Sequence, residues 1–166
     1  MLKSAVIVAA AAMAAIGQKV TVSHDMEADF SRFKTYRWID SQHKAPPFVH
    51  RTLVAEINVQ LAEKGLRRTD GIADLDVVYN LGTDERVTVQ GYDYGYAPRT
   101  WGGSMSTQQI SKELQGKLVV DLIDAKRKEL IWRGVAADSI PDRRDKSEQL
   151  IKKSTEKMFR QYPPKS

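Results

Sequence analysis

Residues 116–123 read Gly-Lys-Leu-Val-Val-Asp-Leu-Ile, and this short run constrains the fold more than any other. Side chains of an extended chain alternate sides. Leu118, Val120 and Leu122 therefore share one face, and Val119 and Ile123 share the other. A strand that is apolar on both sides belongs in the middle of a sheet. After the polar connection Asp124-Ala125-Lys126-Arg127-Lys128-Glu129, residues 130–137 carry Trp132 and read as its hairpin partner. Upstream, Leu75, Val77, Tyr79 and Leu81 alternate with Asp76, Val78 and Asn80. That pattern predicts a half-buried strand, continuing through residues 86–90.

The remaining periodicities place helices around these strands. Leu53, Val54, Ile57 and Leu61 form one stripe at the helical period. They predict a helix from His50 or Arg51 that stops at Lys64-Gly65, because glycine tolerates the left-handed conformation that ends helices. A terminal helix runs from Asp142 or Asp145 to Gln161, with Leu150, Ile151, Met158, Phe159 and Tyr162 on its apolar side. Asp145 and Glu148 have the spacing of a capping box, and Pro163-Pro164 ends the element. Residues 20–22 and 35–39 read as short strands, residues 66–69 as a third. Residues 41–48, with Pro46-Pro47, read as a loop. Strands, helix, strands, helix is an α+β order: a mainly antiparallel twisted sheet with two helices packed on one face, in one domain.

The N-terminus points to a compartment. Lys3 precedes an apolar run, residues 5–16, that ends in Ala15-Ile16-Gly17. A short cationic start, an apolar centre and a small-residue end are the layout of an export signal. The run is shorter than the roughly 20 residues needed to span a bilayer. Residues 1–17 are thus expected to be a signal peptide and residues 18–166 a periplasmic or secreted domain. The chain has no cysteine, so it can form neither a disulfide nor a thiolate metal site. Its net charge of +5 favours anionic surroundings, consistent with weak association with an anionic membrane surface. An exported protein is not expected to meet nucleic acid.

Few residues nominate themselves for chemistry. His24, His43 and His50 are not spaced at i+2 or i+4, as a strand- or helix-borne metal site would want, so no metal and no cofactor are expected. Asp74 and Asp76 share one strand face, and Asp121 sits among apolar neighbours. Paired carboxylates can serve acid–base chemistry, but Asp121 is expected to face solvent or to bind a turn. The densest candidate is the Tyr/Gly segment at residues 91–103, where Tyr92, Tyr94, Tyr96 and Trp101 concentrate aromatic surface. Such rings are frequent at interfaces because they bury area at small entropic cost. The bases of the last helix are interspersed with acids and read as a solvated face.

Several stretches carry a family resemblance. Asp29-Phe30-Ser31-Arg32-Phe33-Lys34-Thr35-Tyr36-Arg37-Trp38 resembles the opening signature of the bacterial domain-of-unknown-function family 4136 (DUF4136). Leu61-Ala62-Glu63-Lys64-Gly65-Leu66, Ala73-Asp74-Leu75-Asp76-Val77, the run from Gly116 to Asp124, Leu130-Ile131-Trp132-Arg133-Gly134 and Tyr162-Pro163-Pro164 are similar to its later motifs, in order. The resemblance implies an envelope lipoprotein-like domain with no assigned activity. It supplies no catalytic residues, and Gln18 stands where such lipoproteins carry the acylated cysteine. The expectation is an exported envelope module, non-enzymatic, that binds or assembles with an envelope protein or glycan through Tyr92, Tyr94, Tyr96 and Trp101. The alternatives are a cryptic hydrolase using Asp76 or Asp121, and a small-ligand carrier, which requires a cavity between helices and sheet.

Overall fold

The computed structural model describes residues 18–40, 45–91, 108–139 and 143–165, with the backbone alone described for 84–91, 108–115 and 139. The expected signal, residues 1–17, and the aromatic residues Tyr92, Tyr94, Tyr96 and Trp101 lie outside the described residues. The elements are β1 (Lys19–His24), a 3-10 turn (Phe30–Arg32), β2 (Thr35–Trp38), α1 (Pro47–Glu63), β3 (Arg67–Arg68), β4 (Leu75–Gly91), β5 (Gln108–Asp124), β6 (Glu129–Ser139) and α2 (Arg144–Phe159). The six strands form one sheet in the order β1-β6-β5-β4-β2-β3. The doubly apolar strand β5 is central, between β4 and β6.

The domain is α+β, with both helices on one face, but the sheet is mixed. β4, β5, β6 and β1 pair antiparallel, whereas β2 runs parallel to both β3 and β4. The cause lies in the connection. Parallel neighbours need a crossover of a dozen or more residues, and α1 provides it between β2 and β3. That helix begins earlier than its apolar stripe suggests. Pro47 occupies its first turn, where a missing amide costs nothing and the ring pre-sets φ, so the double proline opens the helix. The capping box does not form: the N-cap is Arg143, with no side-chain cap, and Asp145 instead accepts from Arg143 at 3.1 and 3.0 Å.

The core lies between sheet and helices. Leu53, Ile57 and Leu61 of α1 and Met158 and Phe159 of α2 meet Leu75, Val77, Tyr79, Leu118, Val120, Leu122 and Trp132. Each fully buried large apolar side chain contributes roughly 1.5–3 kcal/mol. Trp132, Phe159, Tyr162 and Phe30 interlock, with neighbouring ring centroids 5.0–6.2 Å apart. Gly65 (φ +80°) turns the chain out of α1 in a conformation L side chains resist.

Gly134 has a different task. A Cβ there would lie 2.7 Å from Met158 Sδ and 2.7 Å from Trp132 Cη2, so the glycine lets α2 seat against β6. Gly134→Ala is expected to destabilise the domain by about 1–3 kcal/mol through overpacking, read as a lowered urea midpoint. An unchanged midpoint would refute the close approach.

Candidate functional site: an apolar cleft between the helices and the sheet

The side chains singled out for acid–base work are held by structural partners. Asp76 is 1% exposed. It accepts from Arg37 Nε at 2.6 Å and Lys128 Nζ at 2.9 Å. Burial acts to raise its carboxyl, but the hydrogen bonds and charges of Arg37 and Lys128 outweigh burial and hold it below its usual value. Asp121 is also buried, which corrects the expectation of a solvent-facing or turn-binding residue. It accepts a bidentate pair of bonds from Arg133, at 2.7 and 2.8 Å. Neighbouring β-strands place these two opposite each other, so cation and carboxylate meet across the ladder. Asp124 accepts from the amides of Lys126 and Arg127 and from Arg32. Burial again acts upward and is outweighed by those amides and by Arg32.

Asp74 works as a clamp. Its Oδ2 accepts from the amides of Lys34 and Thr35 and from Thr35 Oγ1, each at 2.9 Å. Its own amide donates to Thr35 Oγ1 at 3.0 Å. The Lys34 amide first, then Thr35, lowers its carboxyl. Across the sheet, Tyr36 Oη and Trp38 Nε1 both donate to Asn58 Oδ1, at 2.8 and 2.9 Å, and fasten β2 to α1. Among the described residues, no three His, Asp or Glu side chains converge as metal ligands. His50 Nδ1 lies 2.7 Å from Tyr79 Oη.

The open chemistry of the domain is apolar. A cleft of about 410 Å³ lies between the start of α1, the first turns of α2 and the distal part of the sheet. Pro46, Val49 and Leu53 form one wall, and Leu150, Ile151 and Ser154 the other. Leu81, Thr83, Gly116, Leu118 and Ala136 form the floor. By register the floor residues share the helix-side face. Gly116 and Ala136 bring no bulk to it, so the space between the layers stays unfilled. The polar groups of the walls are already engaged: Ser154 Oγ donates to Leu150 O at 2.7 Å and accepts from Gln18, and Ser147 Oγ donates to Arg143 O at 3.1 Å. Leu150 and Ile151, which the helical stripe assigns to the core, are only half-buried here because they face this cleft. Periodicity alone could not separate a core side chain from a cavity wall; the clue was Gly116 opposite such a stripe.

The sequence matches the family described as "Domain of unknown function (DUF4136)" over residues 20–164. The chain belongs to the DUF4136 family. No curated protein matches the sequence. Among solved structures, the DUF4136 domain is similar to a PDZ domain protein from Parabacteroides distasonis, with a TM-score of 0.61 and 16% identity over 90% of this chain. It spans 37% of that protein's length. It is also similar to the PelC dodecamer subunit from Paraburkholderia phytofirmans, with a TM-score of 0.50 and 12% identity, over 86% of this chain and 95% of that one. At these identities the likeness is one of fold. Within the DUF4136 domain, the polar residues of the resembling motifs, Asp74, Asp76, Asp121 and Asp124, are those that clamp and staple the sheet.

These carboxylates fix an acid dependence. Asp74, Asp76 and Asp124 have folded pKa values lowered from the usual 3.8. The unfolded chain therefore takes up protons first as pH falls. Their stabilisation is complete above that value and is lost as pH drops through the folded values. The urea midpoint is expected to stay level from neutral pH down to about 5 and to fall below about 4. Asp76→Asn should cost about 2 kcal/mol at neutral pH and flatten the acid limb. A variant with the wild-type acid limb would contradict the assignment.

Proposed function

We propose that this DUF4136 domain binds an apolar ligand, in the first instance the acyl chain of a lipid, in the cleft between its two helices and the sheet. The observation that supports this reading is the cleft itself. Its volume falls in the range of small-ligand sites, and its wall hydroxyls are spent on helix carbonyls, so a ligand would gain there by burying hydrocarbon. Hydrolysis is the weaker reading, since Asp76 and Asp121 are saturated by cations and neither lines the cleft. The apolar N-terminal run supports an exported domain, and a lipid ligand suits an envelope location. N-terminal sequencing of the mature protein tests that part of the proposal.

Leu150→Trp narrows the cleft from a half-buried position. The full chain should bind cis-parinaric acid saturably, with enhanced probe fluorescence, and the variant should lose at least about tenfold in affinity with its urea midpoint little changed. Absence of saturable binding by the wild-type chain would defeat the proposal.

The aromatic run is a second contact in this reading. Beyond the Gln115–Ser139 pair, β4 and β5 continue as a two-stranded arm to the Gly91–Gln108 pair. At about 3.3 Å per residue, the arm takes Gly91 roughly 26 Å along the strand from the cleft floor at Thr83. The aromatic character of Tyr92, Tyr94, Tyr96 and Trp101, rings that bury area at small entropic cost, supports a partner contact through this run. Tyr94→Ala with Trp101→Ala should abolish envelope crosslinks of the full chain while leaving cis-parinaric acid binding intact. Crosslinks of undiminished yield would remove the aromatic run from the proposal.

A further inference from the structure

The face of the sheet turned away from the helices has a composition that its individual strands conceal. The registers place Lys19, Ala137, Lys117 and Gly82 in one row across it. Thr21, Val135, Val119 and Asn80 form the next, then Ser23, Arg133, Asp121 and Val78. The following row runs from Leu130 through Ile123 and Asp76 to Arg37. Arg67 lies beside Thr35 at the far edge, and Lys128 reaches in from the β5–β6 turn to Asp76.

Charge on this face is arranged in depth. Asp76 and Asp121 are buried, at 1% and 5% exposure, beneath the cations that neutralise them. Asp74 is turned onto the amides of Lys34 and Thr35. Lys128 and Arg133 are exposed above the buried pair, and Lys19 and Arg67 are exposed on the two edge strands. Between the cations runs an aliphatic strip of half-buried Val78, Val119, Ile123 and Val135, ending in Leu130 at 43% exposure. At the centre of this face water thus meets cationic heads and aliphatic carbon, with Asp76 and Asp121 sunk below and Asp74 exposed to one side. The outer side of α2 is basic too, but there Asp145, Glu148 and Glu156 stand among the lysines and interrupt the positive field.

We propose that the open sheet face docks on the surface of an anionic phospholipid bilayer. An array of bases interleaved with aliphatic side chains on one open face matches phosphates over hydrocarbon. Each Lys or Arg near such a surface contributes to attraction that salt screens within a Debye length, and the aliphatic strip adds shallow burial of the kind interfacial segments use. Among the described residues, no helix is long and apolar enough to cross a membrane, so the contact is one of surface with surface. This inference is independent of the cleft, which opens on the opposite side of the sheet.

The test is co-sedimentation of the full chain with vesicles of phosphatidylglycerol and phosphatidylethanolamine, against vesicles of phosphatidylcholine alone. The apolar N-terminal run acts on both vesicle types, so the preference between them is the quantity read. The chain should prefer the anionic vesicles, and 0.5 M salt, taken as about the upper end of useful screening, should erase the preference. Lys19→Glu with Arg67→Glu should reduce it at least about tenfold, while Lys152→Glu with Lys153→Glu on α2 leaves it within about twofold. Circular dichroism confirms folding, and the two single reversals, each lowering the preference several-fold, replace the double variant if it does not fold. Equal binding to both vesicle types overturns the proposal, as does loss of the preference through the α2 pair in place of the sheet pair.

Discussion

The Asp74–Thr35 clamp is the constraint on which the rest of the sheet depends. β2 is only four residues long and pairs with β4 through the short register from Tyr36–Leu75 to Trp38–Val77. A ladder that brief holds poorly unaided. One carboxylate oxygen accepting three donors, with the return bond from the Asp74 amide, fixes that register at its first rung. A slip of one residue would turn Tyr36 and Trp38 away from Asn58 and put Arg37 into the core. With the clamp set, α1 is drawn down by its Asn58 contact and covers Leu75, Val77 and Tyr79. The parallel strand in an otherwise antiparallel sheet is thus specified by side-chain hydrogen bonds as much as by the crossover helix.

The other carboxylates extend the same logic across the sheet. Asp124 ties the β5–β6 turn to Arg32, Asp121 ties β5 to β6 through Arg133, and Asp76 ties β4 to β2 through Arg37 and to the turn through Lys128. Removing one partner of a buried charge pair leaves the other uncompensated, which is costlier than never having formed the pair. Acidic residues in a strand can look catalytic when their partners are far away in sequence. Asp76 and Lys128 are 52 residues apart, and Arg32 and Asp124 are 92 apart.

Much of this architecture was legible because it is periodic. The doubly apolar run 116–123 identified the central strand, the alternation from Leu75 identified its neighbour, and the stripe Leu53, Ile57, Leu61 identified the covering helix. What periodicity does not encode is the partner. The direction of β2 depends on the crossover and on Asp74, neither of which leaves a repeat. The fate of Asp121 depended on Arg133 standing opposite it, a fact of register. The capping-box spacing at Asp145 was real, but Arg143 next to it offered a stronger, charged partner. The cleft was least visible of all, because Leu150, Ile151 and Val49 have the same chemistry whether they fill a core or line a hollow.

That hollow sits where the two layers have least reason to separate. Interiors normally pack without voids larger than a water molecule, and α2 approaches the sheet closely enough at Gly134 that a single methyl group would collide with Met158 and Trp132. Two turns away on the same helix, Leu150 and Ile151 stand over Gly116 and Ala136 with open space between them. One end of α2 is thus seated tightly by the cluster of Trp132, Phe159 and Tyr162, and its N-terminal half borders the cleft. The tight end fixes the helix, and at the other end Gly116 and Ala136 bring no side chain large enough to fill the space beneath it.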